Sequence, residues 1–468
     1  MNYKVLFLLA GLLAVSSGMV REGWFETRVD HFNPRNQYTF LMRYYANDEH
    51  AYRNGPIFVI VGGDTAIDLR YLTEGLFYDV AYLEGAYLFA NEHRYFGHSL
   101  PVSDATTENM DFLTVDQVLA DLAEWISYLK TTVVGNPRAK VVLLGYGHGG
   151  TVANYFHQSY PNLSNGVWVS SGPAEASLTF PSFFEVLGEN IGTHGSRDCY
   201  NTIFSGFLVA QNLIALGQGD VLTELFHLCE PLDTANPLET TAFLLGLQID
   251  IQREILHLRN TASTTNMCEQ IEGSNTDNSL HALNVWFARE HQFEECVKLS
   301  FNDFLAPFLD TDFNTDQLQN GNRQRLYIQC TTGGIFPTSD SRYQPFGSQI
   351  TIDFYVEVCR EVFGDWINVG VIESNIRSTN VRFGGRRPRI ENAHFTHGGL
   401  DPLIGSGILE DISDSAVATI IPDTFFAPDL GSIDEELDSP KLIAAKELTR
   451  TLIDTWIFKD FEPIHGEA

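Results

Sequence analysis

The stretch VVLLGYGHGGT, residues 141–151, joins an apolar, β-rich run to a glycine-rich turn. Val141 to Leu144 have the composition of a buried strand, and the residues from Ala153 to Tyr160 have that of a helix. Glycine between two such elements permits a turn that other residues resist. The stretch therefore predicts a strand–turn–helix unit that turns at Gly147.

One use of such a turn is to hold a dinucleotide. Gly145, Gly147 and Gly150 match the spacing G-x-G-x-x-G, which lays a pyrophosphate on a helix N-terminus. The fingerprint also needs an acidic residue about 20 positions further on, at the end of the next strand, to hold the ribose. Here that strand ends in Ser170-Ser171-Gly172. The missing carboxylate argues against a nucleotide, and we expect no cofactor.

A second use of the turn is the nucleophile elbow, G-x-S-x-G, which lifts a serine above a sheet beside backbone N–H groups that bind an oxyanion. In this frame Gly147 occupies the position of the serine, and His148 and Gly149 follow it at the elbow. The turn then has the scaffold for acyl transfer without the reacting atom. The third interpretation, an ordinary turn glycine, stays open on this motif alone.

The surrounding sequence predicts a mostly parallel sheet covered by helices. The helix from Thr114 to Lys130 is amphipathic, with Thr114 as its cap, and a last amphipathic helix runs from Pro440 to Trp456. The further β-rich runs are Tyr38 to Tyr45, Ile57 to Val61, Ala86 to Ala90, Val167 to Ser170, Ala393 to Thr396 and Val417 to Ile421.

A helical insertion interrupts this predicted α/β domain. From Pro181 to about Phe304 the chain lacks alternating strand patterns and holds four of the six cysteines. The predicted organisation is a signal peptide at 1–18, a first part of the α/β domain at 19–180, the insertion at 181–381 and a second part at 382–468.

Several strings along the chain resemble the prolyl carboxypeptidase and dipeptidyl peptidase II family of serine peptidases. They are Asp30-His31-Phe32-Asn33, Gly55-Pro56-Ile57-Phe58, the run EHRYFGHSLP at 92–101, Cys330-Thr331, and Gly398-Gly399-Leu400-Asp401-Pro402. The resemblance runs nearly end to end and is weak only from Pro181 to about Arg325. It implies an α/β-hydrolase fold that carries an inserted, disulfide-bonded helical cap.

The family cuts peptides beside proline with a Ser-Asp-His triad in that chain order. Carried over to this sequence, Asp401 matches the acid, whereas the serine aligns with Gly147 and the histidine with Phe426 or its neighbour Phe425. Acyl transfer needs a nucleophile and a base within hydrogen-bond reach, so two of the three roles are predicted to be vacant.

A relocated triad is the alternative. Its candidates are His148 beside the elbow, Ser170 and Ser171 at the end of a strand, and His394 and His397 near Asp401. Each also has a structural explanation, and the two later histidines are expected to flank the end of a sheet. Glu92 and Arg94 resemble a charged cluster that supports the family's fold.

The six cysteines are all predicted to form disulfides, because the chain begins like a secreted protein and none has zinc-type spacing. Six cysteines permit fifteen pairings, and their spacing does not choose among them. The resemblance implies Cys330 with Cys359 and Cys199 with Cys268, which leaves Cys229 for Cys296.

The net charge and the N-terminal segment limit which partners and which cellular compartment we expect. The chain has 29 Lys and Arg against 60 Asp and Glu, a net charge of −31, which disfavours nucleic acid and anionic membranes. The five carboxylates from Asp429 to Asp438 are interpreted as solubilised surface. Residues 1–18 have the layout of a secretory signal peptide, and Asn162 begins a glycosylation sequon. We expect a secreted protein or one of the lysosomal lumen.

The predicted function is that of a pseudopeptidase. It would hold peptides or peptide termini, including proline-containing ones, or associate with itself or with active relatives as a dimer partner. An active peptidase with a relocated nucleophile is one alternative, and an extracellular structural or storage protein without a cleft is another.

Overall fold

The computed structural model describes residues 20–257, 261–315 and 320–458. The predicted signal peptide and His465 lie outside the described residues. No helix in the described part of the chain is both long enough and apolar enough to cross a bilayer.

An eight-stranded sheet forms the centre of the fold, in the order β1-β2-β4-β3-β5-β6-β9-β10. The strands β1 and β2 pair antiparallel to each other, β2 pairs antiparallel to β4, and the remaining neighbours are parallel. The bounds are β1 Arg21–Arg28, β2 Thr39–Asn47, β3 Ile57–Ile60, β4 Tyr87–Asn91, β5 Val141–Tyr146, β6 Gly166–Ser170, β9 Ala393–Gly398 and β10 Ala416–Ile421. This order and these directions are those of an α/β-hydrolase, so the predicted fold class is confirmed.

Helices cover both faces of this sheet. Trp125 and Ile126 of α2 are buried on one face, and Trp456 of α14 is buried on the other. Thr114 caps α2 as predicted, because its side chain accepts a hydrogen bond from the backbone N–H of Gln117. The helices of this layer are α1 Leu76–Glu84, α2 Val115–Tyr128, α3 His148–Ser159 and α14 Pro440–Phe458.

A helical cap lies between β6 and β9 in the chain. It begins with a short strand, β7, that pairs with β8 in a separate two-stranded sheet. Its elements are β7 Ser177–Thr179, α4 Ser182–Asn190, α5 Arg197–Ala215, α6 Gly219–Leu225, α7 Pro237–His257, α8 Ala262–Glu272, α9 Ser279–Glu290, α10 Phe301–Leu309, α11 Asn322–Ile328, β8 Gly334–Phe336, α12 Ile352–Phe363 and α13 Val369–Phe383. The predicted boundary at residue 381 falls inside α13, two residues before its end.

Three disulfides link elements of the cap. Cys199 pairs with Cys268, Cys229 with Cys296 and Cys330 with Cys359, and no cysteine in the described residues is free. These are the pairs that the family resemblance implied, so that prediction is confirmed.

Buried ion pairs tie the segment that follows β4 to β2 and to α2. The guanidinium of Arg94 is fully buried and donates to Asp121 on α2 at 2.6 and 2.8 Å. The carboxylate of Glu92 is also fully buried and accepts from Arg43 at 2.6 Å. Removing one member of such a pair strands a buried charge. The interpretation of Glu92 and Arg94 as fold support therefore agrees with their contacts.

Candidate functional site

The site is built around the turn from β5 into α3. Gly147 has φ 53° and ψ −129°, and its N–H donates to the carbonyl of Ser170 at 3.1 Å. Its neighbours also have no room for side chains: a Cβ on Gly145 would lie 2.2 Å from the carbonyl oxygen of Gly149. The glycines therefore let the strand, the turn and the helix approach one another closely, as the sequence predicted. The helix begins at His148, five residues earlier than the sequence indicated.

The ring of Phe426 lies over Gly147. A Cβ placed on Gly147 would be 2.9 Å from Cζ of that ring. Phe425 instead packs into the apolar core of the cap and is 2% exposed. Of the two phenylalanines that align with the family histidine, the structure places Phe426 beside the elbow and Phe425 away from it.

Asp401 follows the end of β9 and is 1% exposed. One carboxyl oxygen, Oδ1, accepts from the backbone N–H of Leu403 at 2.9 Å. The other oxygen, Oδ2, is buried and has no hydrogen-bond partner among the described residues. Burial raises the pKa of Asp401 to about 6, and this outweighs the N–H of Leu403 and the hydroxyl of Ser171, which favour the charged form. The oxygen that could accept an imidazole N–H is therefore unpaired.

The two serines after β6 have other partners. Ser170 donates to Oδ1 of Asp429 at 2.5 Å, and the indole N–H of Trp168 donates to Oδ2 of the same carboxyl group at 3.1 Å. The hydroxyl of Ser171 accepts from the N–H of Ala427 at 2.8 Å. Both serines therefore tie the end of β6 to the loop that carries Phe426.

Asp429 was wrongly interpreted as part of a solubilised surface. It is fully buried, and burial raises its pKa despite the hydrogen bonds from Ser170, Thr396 and Trp168. No signal in the acidic run distinguishes this residue from its exposed neighbours. Its position three residues after Phe426 is the only sequence feature that could have pointed to it.

The later histidines lie within a strand. His394 and His397 belong to β9 and do not merely flank the sheet, which corrects the prediction. His394 bonds through its ring to the hydroxyls of Thr449 and Thr419. Burial lowers the pKa of both histidines to about 4, so both rings are neutral near pH 7. The ring nitrogens of His397 have no partner in the described part of the chain.

One serine–histidine hydrogen bond is present among the described residues. Nδ1 of His157 lies 2.7 Å from the hydroxyl of Ser164, and its Nε2 lies 2.8 Å from the carbonyl oxygen of Glu391. Both side chains are buried. A carbonyl cannot supply the negative charge that stabilises an imidazolium, and the pair lies at the end of α3 away from the elbow. This pair is therefore structural.

A cavity of about 350 Å³ opens beside the elbow, between α2, α3 and the cap. Its lining is mostly apolar, with contributions from Val118, Val152, Tyr155, Leu326 and Ile335. The size and the apolar walls are those of a pocket for a small molecule or a side chain. Gly147, Phe426 and Asp401 do not line it.

Polar groups line the cavity both beside the elbow, at His93 and His148, and on the cap, at Asn322, Arg325 and Gln329. The ring centroids of His93 and His148 are 5.4 Å apart with the ring planes tilted by 54°, and Asp64 also lines the cavity. Burial lowers the pKa of both histidines, that of His93 to about 3, while Asp64 partly opposes the effect on His148. Both rings are therefore uncharged hydrogen-bonding groups near pH 7.

Within the described residues no three His, Cys, Asp or Glu side chains are arranged to hold a metal ion. The glycine-rich turn also lacks the acidic residue that a dinucleotide would need, since β6 ends in Ser170 and continues into Ser171. The arrangement offers a binding cavity and a set of backbone N–H groups at the start of α3.

Known proteins that are similar to this chain include serine peptidases. Thymus-specific serine protease of Mus musculus is 25% identical over 455 residues, which cover 93% of this chain and 87% of the relative. Lysosomal Pro-X carboxypeptidase of Homo sapiens is 26% identical over 472 residues, which cover 95% of this chain and 89% of that relative. A solved proline iminopeptidase from Mycobacterium smegmatis has 12% identity and a TM-score of 0.35, covering 92% of this chain and all of that one.

The family resemblance is confirmed by a profile that describes serine carboxypeptidase S28 and matches residues 27–449. The matched region includes both parts of the sheet, the elbow and the whole cap. On this match, the chain belongs to the serine carboxypeptidase S28 family.

Proposed function

We propose that this protein binds peptides in the cavity beside the elbow and does not cleave them. The observation that carries the proposal is the contrast at the elbow: Gly147 offers no hydroxyl, and the ring of Phe426 lies where a base would be needed. Acyl transfer requires both groups within hydrogen-bond reach. Loss of such a unit lowers turnover by about a million-fold.

The buried carboxyl group of Asp401 supports the same proposal. An acid that orients a catalytic histidine accepts its N–H and remains ionised. Oδ2 of Asp401 is buried without a hydrogen-bond partner among the described residues, and burial raises the pKa of this carboxyl group to about 6, whereas a cationic imidazole beside it would lower that pKa. We infer that this position keeps the acid of the family triad without its histidine.

The cavity supports the binding half of the proposal. It remains open at about 350 Å³, and its apolar walls fit an uncharged side chain such as proline, leucine or phenylalanine. The two relatives named above are called a serine protease and a Pro-X carboxypeptidase. Peptides with an apolar or prolyl residue are therefore the expected ligands.

We also propose that the protein enters the secretory route and acts outside the cell or in the lysosomal lumen. The three disulfides fit an oxidising compartment. Asn162 is exposed, as a glycan would require, although the hydroxyl of Ser164 in the same sequon is buried against His157. Asn162 is thus a candidate glycosylation site in that compartment.

A fluorophosphonate probe tests the loss of chemistry. The wild-type protein should remain unlabelled, because no serine is paired with a base at the elbow. The double variant Gly147→Ser/Phe426→His, assayed on prolyl peptides in parallel, serves as the gain-of-function comparison. Covalent labelling of any serine in the wild-type protein would refute the inactive assignment and favour a relocated nucleophile.

A screen of proline-containing hexapeptide mixtures tests the binding half. Fluorescence anisotropy with the full chain should detect saturable binding by a subset of the mixtures. If none binds, the cavity has no peptide ligand, and a structural or storage role becomes the better explanation.

A further inference from the structure

A histidine in the cap lies between two carboxylates. His291 follows the end of α9, and its side chain is 12% exposed. Its Nε2 lies 2.8 Å from Oδ2 of Asp250 on α7, and its Nδ1 lies 2.9 Å from Oε1 of Glu294, three residues further along the chain. The ring of Phe287 packs against the imidazole, with the ring centroids 4.3 Å apart. We call His291, Asp250 and Glu294 the cap latch.

These contacts set the protonation state of the imidazole. An ionised carboxylate only accepts hydrogen bonds, whereas a neutral imidazole has one N–H donor and one acceptor nitrogen. Contacts with a carboxylate at each ring nitrogen therefore need a proton on both, which makes the ring an imidazolium. Burial lowers the pKa of His291, but the hydrogen bonds with Asp250 and Glu294 and the charges of these two groups outweigh burial and raise the pKa above its ordinary value of 6.5.

The two carboxylates of the cap latch differ in their surroundings. The side chain of Asp250 is 6% exposed, and its Oδ1 also accepts from Arg253 at 2.8 Å. The side chain of Glu294 is 48% exposed, so water can replace its partner. A buried carboxylate that loses a donor is left with a larger desolvation cost than an exposed one. When the imidazolium loses one proton, the remaining proton therefore stays on Nε2, and the contact with Glu294 is the one that is lost.

Glu294 belongs to the segment 292–295, which joins α9 to Cys296. The far end of the segment is held by the disulfide of Cys296 and by the ring of His227, whose Nε2 lies 2.8 Å from the carbonyl oxygen of Glu295. An imidazole can donate to a carbonyl oxygen in both its neutral and its charged form. The far end is therefore held at every pH, whereas the near end depends on the cap latch.

Other charged groups lie beside the cap latch on the two helices. Glu254 of α7 interacts with Glu290 of α9 and with His257. Burial raises the pKa of Glu254 above its ordinary value of 4.5, and the negative charge of Glu290 raises it further. Glu254 is thus a second titrating group between the same helices, and a test of the latch has to separate the two.

We propose that the cap latch fastens the segment 292–295 in a pH-dependent way, closed when His291 is an imidazolium and open when the ring is neutral. On opening, the proton on Nδ1 passes to water, and the hydrogen bond from Nε2 to Asp250 remains. Because folding raises the pKa of His291, the latch contributes fully below about pH 6.5, and its contribution is lost as the pH rises through the folded-state value. An acidic lumen therefore fastens the segment, and neutral to basic surroundings release it.

Hydrogen exchange of the full chain, followed by mass spectrometry from about pH 5 to about pH 9, tests this inference. The rates are corrected for the intrinsic exchange at each pH. The N–H of Glu294 donates to the carbonyl of His291 at 3.0 Å, so release of the segment exposes this amide. Peptides that cover 288–296 should be roughly fivefold less protected at the upper pH, which is the effect of one hydrogen bond. The last turns of α7 should keep their protection, because the bond to Asp250 remains.

Glu294→Gln is the decisive variant. The amide N–H of glutamine can donate to a neutral Nδ1, and its carbonyl oxygen can accept from an imidazolium. The variant should therefore keep the segment protected across the whole pH range. Glu254→Gln is the matched control on α7, and it should show the wild-type change. Protection of α7 in the same measurement shows that each variant is folded.

The outcomes are distinct from those of the peptide-binding experiments, since no ligand is present. Equal protection of the wild-type segment at both ends of the pH range overturns the latch. A wild-type change that persists in Glu294→Gln also overturns it. Loss of the change in Glu254→Gln overturns it in favour of the group formed by Glu254 and Glu290.

Discussion

The elbow around Gly147 and the cavity beside it share helix α3 but differ in what occupies them. At the elbow, an aromatic ring lies against a residue without a side chain, and a buried carboxyl oxygen of Asp401 has no partner among the described residues. In the cavity, about 350 Å³ stays open behind His148. The difference teaches that binding and chemistry depend on separate atoms. Substitution of a few side chains can therefore remove the chemistry and leave the binding cavity intact.

The largest expected effect concerns the pH dependence of stability at the elbow. The folded-state pKa of Asp401 is about 6, above its ordinary value of 3.8, so folding favours the protonated form. Its contribution is complete below about pH 4 and is lost as the pH rises through 6. This loss amounts to about 3 kcal/mol. The variant Asp401→Asn should not show this loss of stability between pH 4 and 7.5. The measurement is the free energy of unfolding in urea at each pH.

Asp414→Asn serves as the control for that experiment, because Asp414 is exposed. It should follow the wild-type curve. If Asp401→Asn also follows that curve, or if the wild-type protein gains stability from Asp401 as the pH rises, then a cation is paired with Asp401. The contrast between an unpaired elbow and an open cavity would then be wrong.

The next effect concerns the cavity. Gly333 lines it, and a Cβ on this residue would have no atom within 4 Å. Gly333→Phe should therefore fill part of the space without a clash at Cβ and weaken peptide binding by at least tenfold, or about 1.4 kcal/mol. The measurement is the anisotropy titration with the mixtures that bind the wild-type protein.

Gly431→Phe provides the matched substitution outside the cavity. Gly431 is exposed and also has no neighbour within 4 Å of its Cβ. It should leave binding unchanged. Equal affinity of the wild-type protein and Gly333→Phe would show that peptides bind somewhere else.

An effect of similar size is expected at the turn itself. Gly147→Ser places a side chain at φ 53° and brings Cβ to within 2.9 Å of the ring of Phe426. Backbone strain of this kind costs about 1–3 kcal/mol, measured as a loss of unfolding free energy without a gain in peptidase activity. Adding Phe426→Ala should remove the part of this loss that comes from the clash with the ring and leave the part that comes from the backbone conformation. A variant as stable as the wild-type protein would mean that the turn accepts a nucleophile readily.

The smallest effect is expected for Ser171→Ala. The hydroxyl of Ser171 accepts from the N–H of Ala427 and favours the charged form of Asp401. Its loss should cost about 1 kcal/mol. It should also raise the pKa of Asp401, which moves the loss of stability to higher pH. An unchanged pH profile would show that Ser171 does not act on Asp401.

The sequence predicted the parallel strands well, because buried strands such as β5 and β6 are continuous apolar runs. It missed β1, an edge strand in which Trp24 and Phe25 are the only apolar residues besides Gly23 and in which most residues are polar and exposed, so that neither an apolar run nor an alternating pattern marks it. The sequence analysis placed the start of α3 too late, because Gly149 and Gly150 have a low helix propensity. In the structure the tight turn at Gly147 outweighs this propensity, and both glycines are helical.

The elbow was predictable residue by residue because its motif is local. The burial of Asp429 was not, since it depends on contacts with Trp168 and Ser170, which lie far away in the chain.

The pairing of β6 with β9 places Val167 beside Ala393 in the sheet, with the whole cap between them in the chain. All six cysteines precede β9, so the cap can close its disulfides before the sheet is complete. Until β9 and β10 are synthesised, β6 remains an open strand edge of the kind that invites aggregation. A nascent chain of this protein therefore exposes the edge of β6 for the whole interval in which the cap is synthesised.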